Sequence, residues 1–192
     1  MFKRGFKTWC ERLALEKRAE LGLRAHDALD PTKLAEKMGV AVWKPTDVPG
    51  LTPAAIKTLL NDDPDGWSAV TLRLGSSDLI ILNSSHSPAR QASDLMHELA
   101  HMILGHRPSR VDVTDELHLL LRTHDTSQEE EAGWLSACLL LPRPALLMIR
   151  RGGESHHNAA KRYGVSGEML TYRLRMSGVE IQTNRARALT RR

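Results

Sequence analysis

The strongest constraint on the fold is an apolar strand followed at once by a helix capped at both ends. The run "LIILN" (79–83) is continuously apolar, the signature of a strand covered on both faces. Ser87 then supplies an N-cap and Pro88 a first helical residue, while Gly105 and Pro108 stop the helix. At about 100° per residue, Ala92, Leu95, Leu99, Met102 and Ile103 gather into one stripe. His97 and His101 fall together on the opposite side. A helix so marked lays its stripe on a sheet and presents two imidazoles, stacked one turn apart, on its other face.

The rest of the chain supplies that sheet and further helices. "WSAVTLRLGSSDLIILNSS" (67–85) reads as two strands around a turn at Gly75–Asp78. The first strand alternates and is half exposed. "VAVWKP" (40–45) is a third strand, entered from a short helix over 30–40 with Pro31 at its start and Gly39 at its close. Residues 7–22 form an amphipathic helix, and 46–65 an irregular connection. Residues 107–126 are polar and ambiguous, with one apolar patch, "LHLLL". "SQEEEAGWLSACLLLP" (127–142) is a helix with three glutamates in its first turn and an apolar, buried second half. From 155 onward the chain reads helix, glycine turn, helix. The fold class is therefore α+β: a small twisted sheet packed on the histidine helix and on the glutamate-bearing helix, then a helix-turn-helix-like pair. The expected division is 1–145 for the metal-site domain and 146–192 for a helical subdomain with a basic tail.

With 41% hydrophobic and 26% charged residues in 192, the chain has enough apolar surface for one good core. A net charge of +4 permits an acidic partner without requiring one. Part of it is local, because "NRARALTRR" carries four arginines; that tail is expected to be a solvated end. Two cysteines, Cys10 and Cys138, make no disulfide framework, and Cys138 lies in an apolar run that suits a buried thiol. No apolar run approaches the roughly 20 residues of a membrane span, and the start has no signal-peptide core. The expected location is the cytoplasm.

His97, Glu98 and His101 have the spacing His-Glu-x-x-His. Two imidazoles one turn apart reach a single zinc ion at the roughly 2.0–2.1 Å its bonds require. Glu98, about 100° round from His97, belongs beside the ion as the general base for a water. A third protein ligand is needed. Position 107, where an extended motif would place a histidine, holds Arg107. On the wheel of the 127–142 helix, Glu131 shares the apolar side with Leu135 and Cys138, with Glu130 about 100° and Glu129 about 160° away. Glu131 is the preferred ligand. Glu129 and Glu130 stay open, since acidic groups also favour a helix N-terminus electrostatically. His106, His118 and His124 lie between the two helices, where one would serve to polarise a carbonyl; as spaced, they read as loop residues. Asp94, near the His97 face, suits a hydrogen-bond partner for it.

The chain resembles the ImmA/IrrE family of zinc metallopeptidases nearly end to end. "LIILNSSHSPARQASDLMHELAHMILGH" is similar to the family's strand, Asn, Arg-Gln and HExxH segment, here Asn83, Arg90, Gln91 and His97 to His101. "EEEAGWLSACLLLP" looks like its Glu-x-Glu-Ala helix, and "AAKRYGVSGEMLTYRLRMSG" and "DPTKLAEKMGVAVW" resemble its closing and opening segments. Leu135, Ser136, Ser93 and Asp94 depart from the family pattern, in packing and in the surroundings of the ligands, and leave the ligands intact. The resemblance implies Zn²⁺ held by His97, His101 and a glutamate, by position Glu131, with Glu98 as the catalytic base. It also implies a protein substrate, a helix-turn-helix repressor whose cleavage relieves repression.

Two rival functions follow from the same residues. One is a DNA-binding regulator using the C-terminal pair, whose second helix offers Tyr172, Arg173 and Arg175. The demand of Met169, Leu170 and Leu174 for burial favours a packed helical pair instead. The other is a peptidase-like scaffold that binds a repressor without cleaving it.

Overall fold

A computed structural model describes residues 2–74, 77–106, 109–112, 117–121 and 125–190, with side chains outside 74, 107–124 and 186–190. The expected turn at Gly75 and Ser76, His124 and the last two arginines lie outside the described residues, as does the side chain of His118. The fold is α+β and divides into two compact units, Pro31–Gly133 and Met1–Asp30 with Trp134–Arg192.

In the first unit, α2 (Pro31–Lys37) turns at Gly39, whose φ of 72° suits glycine, into β1 (Ala41–Trp43). A 3-10 turn at Pro45–Asp47 precedes α3 (Pro53–Lys57), which runs on as a π-turn over Thr58–Asp62. Then come β2 (Ala69–Leu74), β3 (Ser77–Leu82), α4 (Pro88–Leu104), β4 (Ser109–Asp112) and β5 (Leu117–Leu121). The sheet order is β1-β3-β2-β5-β4, with β1 parallel to β3 and the other pairs antiparallel. The ambiguous 107–126 stretch thus contributes two strands, and "LHLLL" is β5.

Register fixes which residues face the long helix. Thr71 stands opposite Ile80, and Ala69 opposite Leu82. Directly paired residues share a face, and Thr71, Ile80 and Leu82 are all buried. This face meets α4, which contacts both β2 and β3 through the stripe of Leu95, Met96 and Leu99. The caps of α4 are those the sequence offers: Ser87 accepts from Arg90 N, and Gly105 is left-handed at φ 66°.

In the second unit, α1 (Phe6–Glu20) groups with the end of α5 (Thr126–Leu140), α6 (Arg143–Gly152), α7 (His156–Tyr163), α8 (Gly167–Met176) and α9 (Val179–Thr190). This differs from the expected split after residue 145. The reason lies on the buried face of α1, formed by Cys10, Ala14 and Arg18. Arg18 donates to Leu140 O at 3.3 Å, and Glu11 accepts from Arg143 N at 2.8 Å and from Arg173 Nη2 at 2.6 Å. Arg173 also donates to Leu141 O. Two buried guanidinium groups therefore satisfy carbonyls at the C-terminal end of α5, where a helix leaves acceptors unpaired and its dipole favours cations. Fully buried Arg173 is one of the three side chains proposed for DNA contact; Tyr172 and Arg175 are exposed. The tail is more ordered than its composition suggests, since α9, anchored by buried Val179 and Thr183, runs through it to Thr190.

Among the described residues, no single helix is long and apolar enough to cross a membrane. The apolar pair α5 and α6 is bent by 49° at its break.

Candidate metal centre

The site is built inside the first unit by α4, β2 and the first turn of α5. From α4, His97 and His101 stack one turn apart with their Nε2 atoms 3.0 Å from each other. From α5, Glu129 brings Oε2 to 3.0 Å from His97 Nε2 and Oε1 to 3.3 Å from His101 Nε2. One ligand atom from each of the three lies within 4.8 Å of the others.

These spacings fit a metal ion. Donors about 2.0–2.1 Å from a tetrahedral centre stand about 3.3 Å from one another. Two neutral imidazoles and a carboxylate are, besides, the donor set that suits a borderline ion. The His101 side chain is 1% exposed and that of His97 31%. The group is thus anchored on one side and open to solvent on the other, where a substrate would enter.

Sequence reasoning preferred Glu131 in this place, and the structure brings Glu129 there instead. From Ala132 to Leu140, α5 is buried at nearly every position, so a helical wheel has no polar side against which to fix the register. The stripe one and two turns on from Glu129 is Ala132, Gly133 and Ser136. Those residue types do not by themselves single out Glu129, since a Cβ at Gly133 would meet nothing within 4 Å. Glu131 points elsewhere, its Oε2 lying 3.4 Å from His106 Nε2.

Glu98 lies between the apolar stripe and the imidazole face, where Thr71 Oγ1 on β2 donates to its Oε2 at 2.6 Å. The motif placed Glu98; Thr71 was missed because a lone threonine in an alternating strand carries no signal of what it faces. Asp94, expected near His97, pairs with His86 Nδ1 at 3.1 Å. His86 Nε2 lies 3.0 Å from Pro64 O, and Asn83 Nδ2 donates to Pro64 O and Trp67 O. Asn83, His86 and Asp94 thus tie the 64–67 loop to the start of α4. His106, expected as a loop residue, meets His101, with 2.9 Å between their Nδ1 atoms.

A mixed sheet backed by a helix that presents His-Glu-x-x-His, with a carboxylate from a second helix, defines a metallopeptidase-like scaffold. A family model described as the IrrE N-terminal-like domain, of a peptidase family, matches residues 57–175, and the chain belongs to that family. The match spans α4 and the whole of α5. A search of curated proteins finds no match.

Proposed function

We propose that the protein is a zinc-dependent endopeptidase, with His97, His101 and Glu129 as metal ligands and Glu98 as general base. The observation that carries this reading is the convergence of His97 Nε2, His101 Nε2 and the Glu129 carboxylate to within 4.8 Å of one another. When bound, zinc supplies Lewis acidity toward water and the scissile carbonyl. Glu98, held by Thr71, takes one proton from the attacking water as the oxygen joins the carbonyl carbon. It returns that proton to the nitrogen as the C–N bond breaks. The 31% exposure of the His97 side chain leaves this group reachable from solvent.

The substrate follows from the family resemblance: a helix-turn-helix repressor whose cleavage relieves repression, in the cytoplasm. The test has two parts. Metal content is measured in stripped and zinc-restored wild type, His101→Ala, Glu129→Gln and Glu131→Gln. About one zinc in wild type, lost in the first two variants, supports the ligand set; loss only in Glu131→Gln overturns Glu129. Cleavage of a repressor encoded beside this protein is then compared in wild type and Glu98→Gln. Relief of repression that survives Glu98→Gln would mean a binding scaffold rather than an enzyme.

A further inference from the structure

Behind His101, at the end of α4, stand two side chains that the proposed reaction does not use, His106 and Glu131. Gly105 is left-handed, and the chain turns back so that His106 N donates to His101 O and Gly105 N to Met102 O, each at 3.1 Å. This is the turn that closes a helix with a 6→1 hydrogen bond, and it commonly brings the following side chain onto the last turn. Here the two residues brought together are histidines. His101 and His106 oppose Nδ1 to Nδ1 at 2.9 Å, and His106 Nε2 faces Glu131 Oε2 at 3.4 Å. The side chains of His101 and His106 are 1% and 8% exposed, so water does not readily replace these partners.

We infer that Glu131 and His106 form a hydrogen-bonded relay that fixes the tautomer and ring orientation of His101. The inference rests on the proposed metal site, and the protons follow from it. His101 offers Nε2 to the metal group, so its proton sits on Nδ1. That proton is donated to His106 Nδ1, which must then be an unprotonated acceptor. The proton of neutral His106 therefore sits on Nε2, the nitrogen that faces the Glu131 carboxylate. Along this chain each hydrogen bond then has one donor and one acceptor, and the chain closes on an acceptor that carries negative charge. The reverse arrangement, with the proton on His106 Nδ1, places one on His101 Nε2 and blocks it as a ligand. Metal-bound histidines are commonly oriented by a carboxylate on their far nitrogen. In this protein an imidazole stands between the two. His106 and Glu131 are positioning residues, and Glu131 acts on the metal through His101.

The test uses the full chain and two readouts. Zinc affinity is measured by chelator competition in wild type, His106→Phe, His106→Asn, Glu131→Leu and Glu131→Gln. Imidazole nitrogen NMR on the metal-free and zinc-loaded proteins reads the tautomers. The relay predicts a protonated Nδ1 on His101 and a protonated Nε2 on His106. It predicts zinc binding at least about 10-fold weaker in His106→Phe and Glu131→Leu. His106→Asn keeps an acceptor beside His101 and Glu131→Gln keeps one beside His106, so both retain most of the affinity. A His106 protonated on Nδ1, or unchanged affinity in His106→Phe and Glu131→Leu, overturns the relay while leaving the metal site standing. Zinc abolished in both Glu131 variants makes Glu131 a ligand and also overturns it. No zinc in wild type removes the metal reading itself, and the relay with it.

Discussion

Glu98 and its neighbour Thr71 separate binding from chemistry at the scale of single residues. Glu98 is not among the three donors, so Glu98→Gln is expected to keep its zinc while cleavage falls at least about 100-fold. Loss of both together would make the carboxylate part of the metal group. Thr71 donates to Glu98 at 2.6 Å, and a hydrogen bond to a charged group contributes about 1.5–3 kcal/mol. Thr71→Val preserves shape and removes the donor. It should lower kcat about 10-fold at nearly constant KM, and Thr71→Ser should restore it; steady-state kinetics of the three proteins decides. The two histidines and Glu98 were legible because helical spacing alone puts them on neighbouring faces. Glu129 was not, because choosing among three adjacent glutamates requires the rotation of α5 about its own axis. That rotation is set by what packs around a helix buried on nearly all sides. Asp94 failed for a related reason: nearness to the His97 face on a wheel says nothing about His86, eight residues upstream.

At the scale of elements, α4 was legible almost to the residue, because its ends are marked by side-chain chemistry. Ser87→Ala removes the acceptor for Arg90 N and should cost about 1 kcal/mol of stability. Gly105 does more than end the helix. Its φ of 66° costs an L-residue about 1–2 kcal/mol, and the turn it permits sets His106 against His101. Gly105→Ala is therefore expected to lower stability by about that amount and to weaken zinc binding, whereas Ser87→Ala lowers stability alone. Thermal melts paired with zinc titrations separate the two, and equal zinc affinity in both variants would detach the turn from the site. The strands β4 and β5 were not legible. Their stretch is largely polar, and pairing with β2 places Leu119 opposite Leu72, a long-range partnership that local pattern does not encode.

At the scale of the whole molecule, the boundary between the compact units falls within α5, whose first turn carries Glu129 and whose end is held by buried charges. Glu11 is the hub of the helical unit. Its carboxylate accepts from Arg173 and from Arg143 N, and Cys138 Sγ lies 3.8 Å away. Leaving a buried cation without its partner costs about 3–5 kcal/mol. Glu11→Ala should approach the lower end of that range in urea denaturation, because the Glu11 side chain is 25% exposed. Arg12→Ala, which breaks the exposed pair with Glu16, should change stability by less than about 0.5 kcal/mol. The same surroundings set the response to alkali. Burial raises the Cys138 thiol above its ordinary value, with Arg173 opposing and Glu11 adding to the rise. In the unfolded chain the thiol ionises near 9.0. Below that pH both states keep the proton and stability is unaffected. Above it the unfolded chain releases a proton that the native state retains, so stability falls as pH rises, by about 1.4 kcal/mol per pH unit. Burial also raises the Tyr163 hydroxyl and lowers Arg18. They are shared by wild type and Cys138→Ala and cancel in the comparison. Between about pH 9.5 and 10.5, Cys138→Ala should thus lose stability less steeply than wild type, by about 1 kcal/mol per pH unit. In native wild type the thiol should resist alkylation at pH 8 and react only on unfolding. Parallel stability curves for the two proteins, or rapid labelling of native Cys138, would mean that α1 does not seal this end of α5.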